Sequence, residues 1–154
     1  MMPPKTLGKI MRRTILLVII IFWGILKPVP GSGIEIVTLS TPFEESLLSD
    51  INRYRAHHGL QPLLFDPGLY ELAQEHSSYM YEREKLSHDH FDTRFRRSGS
   101  QFCLENVGWN APTPEAQFDA WKSSSQHNLN MLHKRTRRAG ISKVGDAVTF
   151  FACD

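Results

Sequence analysis

The chain has 154 residues, of which 41% are hydrophobic and 22% are charged, and its formal net charge is +2. Five of its 18 Lys and Arg residues and none of its 16 acidic residues fall in residues 1–31, so the remainder carries a formal charge of −3. A mildly acidic body has no general attraction for nucleic acid, and its length fits one domain.

The first 31 residues are predicted to direct export rather than to join the fold. Four basic side chains precede the apolar run "TILLVIIIFWGIL" at residues 14–26, and the small-residue stretch "KPVPGSG" follows it. This order is typical of a secretory signal, here cleaved after Gly31. The alternative is an uncleaved N-terminal membrane anchor formed by residues 14–26, although that run is shorter than the ~20 residues of a comfortable span. In both cases the rest of the chain is predicted to be secreted or extracytoplasmic.

Residues 32–40, "SGIEIVTLS", are predicted to form a linker or a short edge strand, and the folded domain is predicted to span residues 41–154. Its first helix is capped by Thr41 and begins at Pro42, with Glu44 closing a capping box. Gly59 supplies the end of this helix.

A second helix is capped by Asp66 and begins at Pro67. Helical spacing places apolar residues and His76 on one face, and we interpret His76 as a satisfied core histidine. The polar stretch at residues 86–101 is predicted to be a loop. The predicted inward face consists of Leu69, Leu72, Ala73, His76 and Met80.

The stretch "FCLENVGW" at residues 102–109 is predicted to be a strand. Because side chains alternate along a strand, Cys103, Glu105 and Val107 share one face, and Leu104 and Asn106 share the other. An unpaired carboxylate among these apolar neighbours would be costly to bury, so Glu105 is predicted to have a partner.

The C-terminal part predicts two helices and a hairpin. Thr113 caps a helix that begins at Pro114, and its apolar seam is predicted from Ala116, Ala120 and Trp121. A short helix follows, capped by Ser124 or Ser125. Residues 139–154 read as two strands around a Gly145-Asp146 turn. Together with the upstream elements, this order predicts a mixed α+β domain.

Two cysteines, Cys103 and Cys153, lie 50 residues apart. In an oxidising compartment such a pair in one small domain favours a disulfide, which would tie the 102–109 strand to the last strand. Two buried free thiols are the alternative.

Three phrases, "LSHDHF", "LENVGW" and "WKSSSQHNLNML", occur in this order. Their order and wording resemble the CAP superfamily, which comprises cysteine-rich secretory proteins, antigen 5 and plant pathogenesis-related proteins, and the closer likeness is to its bacterial branch. The resemblance runs from Leu47 to Phe151. It implies a three-layer α-β-α sandwich of the CAP/SCP type with a central groove.

The resemblance also implies the groove residues: His88, Glu105 and His127. Glu105 would then meet His88 or His127, a pairing in which each group favours the charged form of the other. Ser124 stands where eukaryotic members have a second Glu, so the tetrad of the family is incomplete here.

Several functions remain open for this groove. We expect a monomeric binding module for a small hydrophobic, peptide or glycan ligand, such as a lipid or a cell-wall fragment, that meets the membrane only through an uncleaved N-terminal segment. The alternative is a secreted hydrolase of peptide or ester bonds, with Glu105 or a groove histidine as general base. Zn²⁺ could be bound by His88 and His127 with His90 as a candidate third ligand, against a purely hydrogen-bonded His-Glu-His cluster.

A basic run at residues 134–138, "KRTRR", has two interpretations. It could attract anionic lipid or glycan, with Arg94, Arg96 and Arg97 extending the same surface patch. The simpler interpretation is a solvated basic turn.

Overall fold

The computed structural model describes residues 41–154, and the predicted signal or anchor and the predicted linker lie outside the described residues. The described chain forms five helices and four strands, and none of these helices is long and apolar enough to cross a bilayer. The elements are α1 (Pro42–His57), β1 (Leu64–Phe65), α2 (Pro67–Glu82), α3 (Phe91–Ser98), β2 (Cys103–Trp109), α4 (Pro114–Ser123), α5 (Ser125–Met131), β3 (Arg138–Val144) and β4 (Ala147–Cys153).

The predicted helix starts are confirmed by their capping contacts. Glu44 accepts a hydrogen bond from the Thr41 backbone N–H at 2.6 Å, which closes one half of the capping box. The Asp66 carboxylate accepts from the Leu69 N–H at 3.0 Å, and the Thr113 hydroxyl accepts from the Ala116 N–H at 3.2 Å. Proline occupies the first turn in all three helices.

Two local predictions are wrong, and one short strand was not predicted. The stretch at residues 86–101 contains α3. The single buried side chain of this helix is Arg94, so the sequence has no apolar period that would predict it. The two-residue strand β1 was not predicted, since it is too short to show an alternation. In α4 the buried residues are Gln117 and Trp121, whereas Ala120 is exposed.

The sheet has the order β1-β3-β4-β2. The β3 and β4 strands form the predicted antiparallel hairpin, and β2 pairs antiparallel with β4 so that Glu105 lies opposite Phe151. The short β1 runs parallel to β3 at the other side. The "LENVGW" strand is therefore an edge strand, open on one side to whatever packs beside it.

Helices cover both faces of this sheet. One core cluster joins α1, α4 and α5 to the face that carries Leu104 and Phe150. A second cluster joins α2 to the opposite face, which carries Phe151 and Cys153, with Phe91 of α3 packed against it. This arrangement confirms the predicted three-layer α-β-α sandwich.

The two cysteines form a disulfide, and the alternative of two free thiols is wrong. Cys103 and Cys153 are directly opposite each other in the β2–β4 ladder, with their Cα atoms 4.1 Å apart. The bond therefore joins the start of β2 to the end of β4, its neighbour in the described sheet.

Candidate functional site

Glu105 is buried as one half of an ion pair. Its side chain is 1% exposed and lies on the α2/α3 side of β2. Arg94 of α3 donates from Nε to Oε2 at 2.8 Å and from Nη2 to Oε1 at 2.9 Å. Such a bidentate pair neutralises the carboxylate and uses both of its oxygens.

His88 is the second partner of Glu105. Its Nδ1 lies 2.8 Å from Oε1, and because a carboxylate only accepts, Nδ1 is the donor. In the neutral ring Nε2 is then the basic nitrogen, and the side chain is 53% exposed. The contact therefore fixes the orientation of an imidazole that solvent can reach.

His76 of α2 is a third basic group against the same carboxylate. Its Nε2 donates to the Ser87 carbonyl at 2.8 Å and lies 3.6 Å from Glu105 Oε1. Its Nδ1 is buried and has no hydrogen-bond partner among the described residues, so the predicted core position is confirmed, and one of the two ring nitrogens is satisfied. Burial, opposed in part by Glu105, lowers the pKa of His76. Through Ser87 this histidine also anchors the loop that carries His88.

Asn106 organises the other face of the strand. Its side chain is fully buried; Nδ2 donates to the His127 carbonyl at 3.0 Å, and Oδ1 accepts from Asn130 at 2.8 Å. Asn130 also donates to the Glu105 backbone carbonyl at 3.1 Å. These bonds fasten α5, and with it His127, to the outer edge of β2.

His127 lies at a groove between the end of β2 and α4. The ring is half-buried, and its pKa is lowered by burial and, to a smaller extent, by the charge of His88. The groove has a volume of about 460 Å³, and none of its described lining residues is Asp, Glu, Lys or Arg. Its walls include Trp109, Pro112, Ala116, Gln117, Ala120 and Ser124.

The structure thus brings His88 and Glu105 into direct contact and places His127 on the opposite layer, where its backbone carbonyl accepts from Asn106. Ser124 is half-buried in the groove wall and occupies the N-cap position of α5, where its side chain makes no capping bond. His90 is exposed, has a φ of 61°, and packs its ring against Tyr79. The roles predicted for these residues stay predictions.

Arg94 is the main residue that sequence reasoning missed. Its predicted place in a basic surface patch is wrong, because its side chain is 5% exposed and holds Glu105. A signal was present: a carboxylate on an apolar strand demands a cation, and Arg94 lies in the nearest basic stretch upstream.

The basic run at residues 134–138 is partly neutralised. Arg135 pairs with Asp154 at 2.9 Å, and Arg138 pairs with Asp66. These contacts favour the interpretation as a solvated basic turn over an anion-binding patch.

The residues present do not fit a catalytic zinc centre. Within residues 41–154, no three His, Cys, Asp or Glu side chains are grouped so that they could hold a metal ion. Glu105 is occupied by Arg94 and by Nδ1 of His88, so the predicted donors reduce to two imidazoles. Catalytic zinc sites usually have three protein ligands. Zn²⁺ binding by His88 and His127 stays a prediction.

Comparison with known proteins gives a family for this fold and site. The family model described as CAP, the cysteine-rich secretory protein family, matches residues 48–154. No curated protein matches the chain.

Three solved bacterial structures share the fold. An extracellular protein containing an SCP domain from Bacillus anthracis has a TM-score of 0.68 and 22% identity, over 71% of this chain and 39% of its own. A cysteine-rich secretory protein from Staphylococcus aureus has a TM-score of 0.66 and 18% identity, over 71% and 37%. An outer surface protein of Borrelia burgdorferi has a TM-score of 0.66 and 19% identity, over 71% and 90%. The chain therefore spans well under half the length of the first two.

Proposed function

The chain belongs to the CAP family of cysteine-rich secretory proteins, and from this premise we propose that it acts outside the cytoplasm as a binding domain. Its ligand occupies the groove between β2 and α4, beside His127. The extracytoplasmic location is supported by the disulfide and by similarity to an extracellular protein and an outer surface protein.

One observation carries the binding role: among the described residues, the carboxylate that contacts His88 is already satisfied. Glu105 is 1% exposed and accepts from Arg94 and His88, so it has no free oxygen with which to activate water. The groove itself offers apolar walls, one imidazole and a few neutral polar groups. A concave site that combines apolar walls with a few neutral polar groups is suited to holding a ligand.

A nuclear magnetic resonance titration of the purified protein tests this function. The probes are tri-N-acetylglucosamine, an uncharged capped tri-alanine peptide and a monoacylglycerol. We expect at least one probe to shift the backbone amide signals of Trp109, Gln117 and His127, because these residues line the same groove.

Two tryptophan variants make the test specific. Ala120→Trp fills the groove from an exposed position, whereas Ala56→Trp makes the same change on an exposed face of α1 outside it. Binding should disappear in Ala120→Trp and persist in Ala56→Trp. Absence of binding by all three probes, or equal binding by both variants, would overturn the proposal.

The contact between His88 and Glu105 favours hydrolysis as a second candidate function. A carboxylate that orients Nδ1 of a half-exposed imidazole leaves Nε2 able to take a proton from water or a hydroxyl group. Here His88 would be the base and Glu105 its positioning residue. Turnover of a peptide or ester panel by the wild type that falls roughly 10²- to 10⁴-fold in His88→Gln would replace the binding proposal. No difference between the two proteins removes the hydrolase.

A further inference from the structure

Gln117 presents a buried polar group to the groove. It lies in the middle of α4, is 2% exposed, and lines the same groove as Trp109 and His127. Its Oε1 is buried and has no hydrogen-bond partner among the described residues. A buried acceptor without a partner destabilises the fold, so an apolar residue would serve better here if packing were its only task.

The backbone beneath Gln117 is shaped to admit this side chain. A Cβ at Gly108 would lie 2.1 Å from Oε1 and 2.5 Å from Nε2 of Gln117. The amide therefore lies directly against the strand at a position where every other residue would displace it. Gly108 of β2 and Gln117 of α4 are therefore in direct contact, and the absence of a side chain at Gly108 leaves room for the glutamine amide.

The surroundings restrict what could meet that amide. The described groove lining carries no charged side chain, so a phosphate, carboxylate or ammonium group would lose its hydration without gaining a counter-ion. Trp109, which is half-buried, and Pro112 both line the groove, and Trp109 also packs against the cluster of Met80, Val107 and Ala147. An uncharged ligand with one polar and one apolar face is complementary to this groove.

We propose that Gln117 is a ligand-binding residue, whose side-chain Oε1 accepts a hydrogen bond from the N–H of a secondary amide in an uncharged ligand lying in the groove. The inference rests on the proposed binding function and names the ligand class. The terminal torsion of glutamine is soft, so the amide can turn toward the groove, where Oε1 accepts the ligand N–H. An N-acetylated sugar and a peptide both carry this group.

The test is a double-mutant cycle between Gln117 and the ligand amide. Tri-N-acetylglucosamine is paired with cellotriose, which lacks the acetamido groups, and the capped tri-alanine peptide is paired with its ester analogue. In the wild type, affinity for the amide probe should exceed that for its partner by roughly two- to tenfold. Gln117→Leu should remove this difference.

Melting temperature supplies a readout that a structural role would not give. Because Gln117→Leu removes an unpaired buried acceptor, it should leave the melting temperature unchanged or higher, whereas loss of a structural hydrogen bond would lower it. Gly108→Ala adds a Cβ that displaces the Gln117 amide. This variant should therefore also lose the difference in affinity between each amide probe and its partner without the amide.

Each outcome decides the inference. If Gln117→Leu loses discrimination only for the sugar pair, the ligand class is an N-acetylated sugar. If it loses discrimination only for the peptide pair, the ligand class is a peptide. Probes that bind in the groove with no discrimination, or with discrimination that Gln117→Leu leaves intact, overturn the role of Gln117 but leave the binding function. A wild type that binds no probe overturns both.

Discussion

Two neighbouring residues of β2 hold opposite helical layers by different chemistry. Glu105 faces α2 and α3 and binds charged or chargeable side chains, namely Arg94 and His88. Asn106 faces α5 and binds its backbone through a neutral amide. The charged face therefore positions side chains, and the amide face positions a helix.

Substitutions on the two faces should also lower the free energy of unfolding by different amounts. When one partner of a buried ion pair is removed, the other charge stays buried without compensation, and the loss is large. When a neutral amide is removed, only the hydrogen bonds and their desolvation are at stake. The predictions below test this ranking, from the largest expected effect to the smallest.

The largest effect is expected from Arg94→Met. The substitution keeps much of the side-chain volume but leaves the Glu105 carboxylate, which is 1% exposed, without its guanidinium. We expect the free energy of unfolding, measured by urea denaturation, to fall by about 3–5 kcal/mol.

The matched control for Arg94 is the double variant Arg94→Met/Glu105→Gln. It leaves no uncompensated charge inside, so part of the loss should return even though a second native group has been removed. A loss below about 1 kcal/mol in the single variant would contradict the claim that the ion pair dominates this face.

The disulfide provides a reference that belongs to neither set of side-chain contacts. It closes a 50-residue separation between the ends of β2 and β4. Cys103→Ala/Cys153→Ala should lower the free energy of unfolding by about 2–4 kcal/mol, measured against the oxidised wild type. If reduction of the wild type causes no comparable loss, the assumed contribution of the cross-link is wrong.

On the amide face, Asn106→Ala should cost about 1–3 kcal/mol in the same measurement. The substitution removes the bond to the His127 carbonyl and the bond from Asn130, so chemical shifts of α5 should change more than those of α3. Asn130→Ala is the matched control, since it removes one of these bonds and also uncovers the Glu105 carbonyl. A cost equal to that of Arg94→Met would abolish the distinction between the faces.

The sequence alone predicted the strand and the helix starts on which this comparison depends. The alternation along the strand correctly separated Glu105 from Asn106, and the capping residues placed three helix starts, because both signals are local. The resemblance pointed to His88, which does contact Glu105.

The sequence indicates that the buried carboxylate needs a cation, but it does not indicate which basic residue supplies it. Arg94 lies on a helix without an apolar period, and its basic neighbours read as surface. The exposed Ala120 and the buried Gln117 show the same limit: Ala120 lies in the open wall of the groove, whereas Gln117 packs against Gly108 of β2. Such choices depend on tertiary neighbours that no local pattern contains.

The smallest effect expected is a difference in pH dependence between a histidine on each face. Burial lowers the pKa of His76 in the folded state below its ordinary value of 6.5, with Glu105 opposing the shift and Arg94 and His88 adding to it. At pH values between the folded-state pKa and 6.5, the unfolded chain therefore binds a proton at this histidine and the native state does not. The stabilising contribution is complete above pH 6.5 and is lost as the pH falls toward the folded-state pKa.

His127 has the same direction of shift but is only half-buried. His76→Gln should therefore flatten the acid side of the stability profile by up to about 1.4 kcal/mol per pH unit, and His127→Gln by less. Urea denaturation at stepped pH below neutrality measures both slopes against the wild type. A larger flattening in His127→Gln would mean that the α5 side, and not the cluster around Glu105, excludes the proton, and the contrast between the two faces would have to be reversed.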